Sequence, residues 1–210
     1  MEDNHFQSPY RQKLREQIVA AAMTAFAQKG VKAVKMDDIA QSLGISKRTL
    51  YEIYANKELL LYEGIVRAIK EKEAYLLKVQ EECETVMDVV LRLYKRNMEN
   101  RNRTNPQFFE DIKKYPRLAD VLENDKRASQ QRFVAFLQRG MAEGFFRSDL
   151  DYELVTRLIS MMSEYVMSAK LYSKYSLHHI FHNMLFVIMR GICTRKGIEI
   201  LDQIVTTEGK

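Results

Sequence analysis

Residues 36–60 read MDDIAQSLGISKRTLYEIYANKELL, and this stretch decides the fold. Ile39, Ala40 and Leu43, spaced one and then three apart, give a short helix one small apolar face. Gly44 follows where helices commonly end in a left-handed residue, a conformation that glycine enters without a Cβ clash. Ile45 plugs the turn, and the Ser46 hydroxyl is placed to cap a second helix. That helix opens Lys47-Arg48-Thr49-Leu50-Tyr51. With Leu50 turned inward, Lys47, Arg48, Thr49 and Tyr51 project from its N-terminal end. A helix-turn-helix does this, setting the first residues of its recognition helix against base edges and phosphates. The stretch predicts a DNA-reading module.

The string Ile39-Ala40, Gly44-Ile45-Ser46, Thr49-Leu50-Tyr51, Tyr54, Asn56-Lys57-Glu58 and Leu60 resembles the signature of the TetR family of bacterial transcriptional regulators. The preceding helix is similar too, through Ile18, Ala21, Ala22, Phe26 and Gly30, and the resemblance covers about residues 11–65. Two positions depart from it. Lys35 stands where the family usually has Thr or Ser, which removes a helix cap and offers a cation to a phosphate instead. Arg48 stands where the family often has Gly, adding a charged donor to the reading surface. The candidate DNA contacts are Lys35, Ser46, Lys47, Arg48, Thr49, Tyr51, Tyr54 and Lys57. Tyr54 and Lys57 are expected to clamp phosphates, contacts that position the protein and carry little sequence information; Tyr54 also fits a packing role.

Charge agrees with this reading. Residues 10–57 hold nine Lys/Arg against four acids, whereas residues 58–210 hold 24 against 22. A basic N-terminal quarter is the electrostatic footprint of a phosphate-contacting module. Three prolines and eight glycines in 210 residues leave little room for a loop-rich β architecture, and no alternating strand pattern stands out. An all-α fold is expected: an N-terminal three-helix helix-turn-helix domain followed by a C-terminal helical bundle for ligand binding and dimerisation. The longest apolar run, residues 184–189, is far short of the ~20 residues a membrane span needs. No charged-then-apolar leader opens the chain, so a cytoplasmic protein is expected. Cys83 and Cys193 suggest neither a disulfide framework nor a metal knuckle.

Along the chain, residues 1–9 read as a polar arm, 10–56 as the helix-turn-helix domain and 57–210 as the regulatory and dimerisation domain. The first helix is predicted over 10–29, with Leu14, Ile18, Ala21 and Ala25 as its apolar stripe. Asn56 is placed to cap a fourth helix. Further helices are predicted over 82–100, over 108–122 with a break or bend near Pro116, and over 125–143. The last two predicted helices, 152–172 and 177–194, carry apolar stripes too wide for one buried face. Leu158, Met162, Phe181, Met184 and Ile188 are therefore candidate dimer contacts, and a two-fold dimer suits two half-sites on DNA.

The resemblance implies a small-molecule effector pocket in the larger domain. The residues offered for it are Met87, Tyr94, Met98, Phe109, Ile112, Phe133, Phe136 and Leu137, with Tyr165 as a second source of a hydroxyl; a filled core is the competing reading. His178 and His182 would share a helix face beside His179, a spacing that can bind metal, but no carboxylate cluster supplies further ligands, so no metal and no cofactor are expected. No GxSxG, phosphate-binding glycine loop or HExxH occurs, so an enzyme is not expected. The expected function is a homodimeric repressor on a palindromic operator, released by a small molecule. The alternative is a helical scaffold acting through protein partners.

Overall fold

The computed structural model describes residues 9–99 and 104–208, with side chains described for 9–97 and 104–203. They fold into α1 (Pro9–Lys29), α2 (Met36–Ser42), α3 (Lys47–Ile53), α4 (Lys57–Glu82), α5 (Val86–Glu99), α6 (Pro106–Ile112), α7 (Ala119–Ala142), α8 (Tyr152–Ser168), α9 (Leu177–Ile192) and α10 (Arg195–Glu208). Short 3-10 turns lie at Pro116–Leu118 and Leu171–Ser173. The described residues contain no strand, only one isolated antiparallel bridge between Phe146 and Cys193. The fold is all-α, as composition predicts.

Two compact units divide the chain, one made of residues up to 72 with 103–123, the other of 73–102 with 124–210. The expected boundary at 56/57 is thus drawn elsewhere. The reason is apolar: Leu60, Leu61 and Ile65 of α4 and Phe108, Ile112 and Leu118 complete the core under the helix-turn-helix. On α1 the buried stripe is Leu14, Ile18, Ala22 and Phe26, with Val19 beside it, while Ala21 and Ala25 are half-buried at its margin. Polar ties hold the distant segment in place. The Asn105 N–H donates to the Ala27 carbonyl at 2.6 Å, and the Asn105 side chain caps α6 by accepting from the Gln107 N–H at 2.9 Å. Asp111 is buried and accepts from the Lys32 N–H (2.9 Å), the Gln107 amide (3.0 Å) and the Lys114 ammonium (3.2 Å). Burial alone would raise its carboxyl pKa, but those donors together hold it below the usual range.

In the second unit, Val86, Met87, Val90 and Tyr94 of α5 meet Leu137, Phe146, Tyr152, Met189, Ile192 and Leu201 in one core. Gly140 is there for space: a Cβ on it would lie 2.1 Å from the Phe146 ring. Arg139 donates to Glu143 at 2.6 Å and to the Glu84 carbonyl at 2.9 Å, and Glu143 in turn accepts from the Val86 N–H at 2.7 Å. This pair satisfies backbone groups that the α4–α5 turn would otherwise leave open.

Several boundaries differ from the sequence reading. Of the break or bend expected near Pro116 the structure shows the break: α6 ends at Ile112, and the proline opens a 3-10 turn, where its missing N–H costs nothing. Helix α7 accordingly starts at Ala119, before the expected 125. Helix α8 ends at Ser168 because Lys170 adopts a left-handed backbone at φ 51°. Helix α10 was not foreseen at all.

Candidate nucleic-acid interface

The reading surface is assembled from α2 and α3. Gly44 turns the chain at φ +66°, and Ser46 caps α3 by accepting from the Thr49 N–H at 3.0 Å. Leu50 is fully buried and fixes the rotation of α3, so Lys47, Arg48 and Tyr51 stand in solvent. Thr49 is half-buried, its hydroxyl 2.8 Å from that of Ser46. Lys35 is exposed at the start of α2, and the cap it lacks is replaced in part by Asp38, whose carboxylate accepts from the Lys35 N–H at 2.9 Å.

Both cations of α3 carry an acidic partner that the sequence reading did not name. The Lys47 ammonium bonds the Asp37 carboxylate, and the Arg48 Nε donates to Glu52 at 2.9 Å. The Arg48/Glu52 pair is visible in sequence as an i,i+4 spacing, whereas Asp37 reaches Lys47 across the turn. Each carboxylate raises the pKa of its cation, first through the hydrogen bond and then through charge. At the far end of α3, Arg11 of α1 donates to the Glu52 carbonyl at 3.2 Å.

Two expected phosphate clamps are placed otherwise. Tyr54 is 2 % exposed and belongs to the core. The Arg15 guanidinium sits 5.2 Å from its ring centroid and bonds Glu63. Burial, then the Glu63 charge, pushes the phenol pKa up. Lys57 turns its ammonium inward to the Val31 and Val34 carbonyls at 2.9 and 3.0 Å. Partial desolvation lowers its pKa. Both side chains hold the α1–α2 turn and the end of α3; they are not presented as clamps. The remaining candidates, Lys35, Ser46, Lys47, Arg48, Thr49 and Tyr51, lie together around α2 and α3.

The effector candidates do not gather in one place. Met87, Tyr94 and Leu137 are buried in the second unit's core, with Phe133 and Phe136 packed on it and stacked on each other, centroids 6.2 Å apart. The Tyr94 hydroxyl lies 3.0 Å from His182 Nδ1, and its ring meets Phe186 edge-on. Phe109 and Ile112 belong to the first unit, because α6 packs under the helix-turn-helix. Tyr165 is exposed on α8, and the Met98 side chain lies outside the described residues.

Of the dimer candidates, Leu158 (50 % exposed) and Met162 are exposed on α8, alongside Leu154, Met161 and Tyr165. Phe181, Met184 and Ile188 of α9 are half-buried, with Phe181 and Ile188 packed on the core of their own unit. Between α8 and α9 runs an apolar groove of about 850 Å³, lined by Leu158, Met161, Met162, Tyr165, Ile180 and Met184 among others. His179 stacks on Tyr175, and among the described residues no three His, Cys, Asp or Glu side chains converge as a metal site. Among the same residues, no helix is long and apolar enough to cross a membrane.

Known proteins agree with this geometry. Residues 18–63, from within α1 to the first turns of α4, match the family model for bacterial regulatory proteins of the tetR family. Over 152 residues the chain is 28% identical to the HTH-type transcriptional repressor KstR2 of Mycolicibacterium smegmatis, covering 69% of this chain and 73% of that protein. The solved ketosteroid transcriptional regulator KstR2 of Mycobacterium tuberculosis superposes with a TM-score of 0.61 at 22% identity, over 90% of this chain and 98% of the other. A Saccharomonospora viridis protein solved in complex with choline gives 0.71 at 19% identity, over 88% and 100%. With a helix-turn-helix of this build and relatives along most of its length, the chain carries the N-terminal module of the TetR family of bacterial regulatory proteins in residues 18–63.

Proposed function

We propose that this protein is a transcriptional repressor that binds a palindromic operator as a homodimer and lets go of it when a small molecule binds the second unit. The observation that carries the reading is α3: one fully buried leucine beneath a row of exposed Lys47, Arg48 and Tyr51. A helix held this firmly with its cations in solvent suits entry into a major groove. The bare apolar face of α8 supports the dimer, since a lone soluble chain seldom leaves such a patch uncovered. In the second unit, the Tyr94–His182 hydrogen bond, with the Phe186 ring against both side chains, supplies a polar group within an aromatic setting for an effector.

The test is selection from a pool of random duplexes by the full-length protein, followed by binding titrations at several salt concentrations. Enrichment of an inverted repeat, with log affinity falling linearly in log salt, is the expected result. Recovery of no preferred sequence would overturn it. Thermal-shift titration with choline and with apolar small molecules, each hit then tested for release of the selected duplex, examines the effector arm. Ligands that stabilise the protein and leave DNA affinity unchanged count against that arm alone.

A further inference from the structure

An exposed carboxylate beside a phosphate-binding surface is unfavourable for general DNA affinity, yet α3 has two within hydrogen-bond reach of its cations. Glu52 lies one helical turn beyond Arg48 on the same exposed face. Its Oε1 accepts from Arg48 Nε at 2.9 Å, which occupies one of the guanidinium's five N–H groups and leaves the four on Nη1 and Nη2 unengaged by that bond. The Arg48 side chain is 89 % exposed, so little besides this bond fixes where the guanidinium points. The other side of Glu52 is anchored too, since its carbonyl receives Arg11 from α1. Building on the DNA-reading function proposed above, we infer that Glu52 is a positioning residue for sequence specificity. It pins Arg48 by Nε so that both Nη groups meet a guanine O6/N7 edge, and it keeps the arginine from swinging to the phosphates. Asp37 holds Lys47 in the same manner, so the two α3 cations are neutralised pairwise and general attraction to DNA must come from cations elsewhere on the unit, such as Lys35.

This assignment makes a prediction that a merely structural glutamate would not. In Glu52→Gln the freed arginine reaches phosphates and a negative charge is gone. Binding to a scrambled duplex therefore stays equal or tightens, while discrimination at one base pair of each half-site of the selected duplex falls about tenfold. Glu52→Asp keeps the charge on a shorter arm, and the same discrimination is lost without the tightening. Arg48→Ala abolishes the preference at that base pair, and adding Glu52→Gln to it changes that preference no further. Melting curves of the single variants should match the wild type, because both side chains are exposed. Four results would overturn the inference: Glu52→Gln with full discrimination; equal losses on selected and scrambled duplexes; Arg48→Ala with its preference intact; or a further loss at a different base pair in the double variant, which makes Glu52 itself a base reader. A wild type that selects no sequence at all overturns the DNA-reading function along with it, whereas the other failures leave that function standing.

Discussion

Glu63 and Asp111 are carboxylates whose pKa values folding pulls below the usual range, the first chiefly through Arg15, the second against its own burial through three donors. A carboxyl of this kind binds its proton less well in the folded chain than in the unfolded one. Its stabilising contribution is therefore complete above the ordinary carboxylate range and fades as the pH drops through it. Melting temperature is expected to fall between about pH 5 and pH 3, and the fall should be shallower in Asp111→Asn, which has nothing left to protonate there. That variant should also be about 1–3 kcal/mol less stable at pH 7 by denaturant titration, because an amide N–H₂ is turned toward buried donors. Lys57 gives a second residue-level expectation. Lys57→Ala leaves the Val31 and Val34 carbonyls without their donor and should cost about 1–3 kcal/mol of stability while the salt slope of DNA binding stays as in the wild type. A slope lowered by about one would restore Lys57 to the phosphate contacts.

Among the elements, α8 and α9 differ in what their apolar residues face. Leu158 and Met161 stand in solvent, whereas Phe181 and Ile188 pack on their own unit's core. Leu158→Asp or Met161→Asp should thus convert a dimer to a folded monomer in sedimentation, while Ile188→Asp should lower the melting temperature of the unit itself. Sedimentation of the wild type as a monomer at micromolar concentration would remove the dimer. On α7, Gly140→Ala pushes a methyl into the Phe146 ring and should destabilise the protein by about 1–3 kcal/mol, read by thermal melting. What the sequence made legible at this scale were elements carried by short-range signals: the glycine turn at 44, the Ser46 and Asn56 caps, the wide stripes of α8 and α9. Pro116 was legible as a punctuation mark but not as the start of a turn, since a proline is equally at home breaking a helix and opening one. Helix α10 went unread although Ile198, Leu201 and Val205 recur at spacings of three and four, a local helical signal that needs no tertiary partner.

At the scale of the molecule, the feature hardest to read was membership. Nothing local in residues 103–123 says that they complete the first unit, because Phe108, Ile112, Leu118 and Asp111 find their partners some 50–100 positions earlier. The same packing scattered the effector candidates, sending Phe109 and Ile112 to one core and Tyr94 and Leu137 to another. A fragment ending at residue 72 should accordingly fail as an autonomous DNA binder. It forfeits three buried apolar side chains worth about 1.5–3 kcal/mol each, against a typical domain stability of about 5–15 kcal/mol. A fragment with native-like cooperative melting would contradict this. The discontinuity also has a consequence in time. A nascent chain reaches residue 72 with every base-reading candidate already made, yet must lengthen to Leu118 before their support is complete. At a synthesis rate of about 5–20 residues per second, that interval is roughly 2–9 s. During it the apolar face of α1 has no α6 against it, so the newborn reading helix stands on an unfinished core until the later segment arrives.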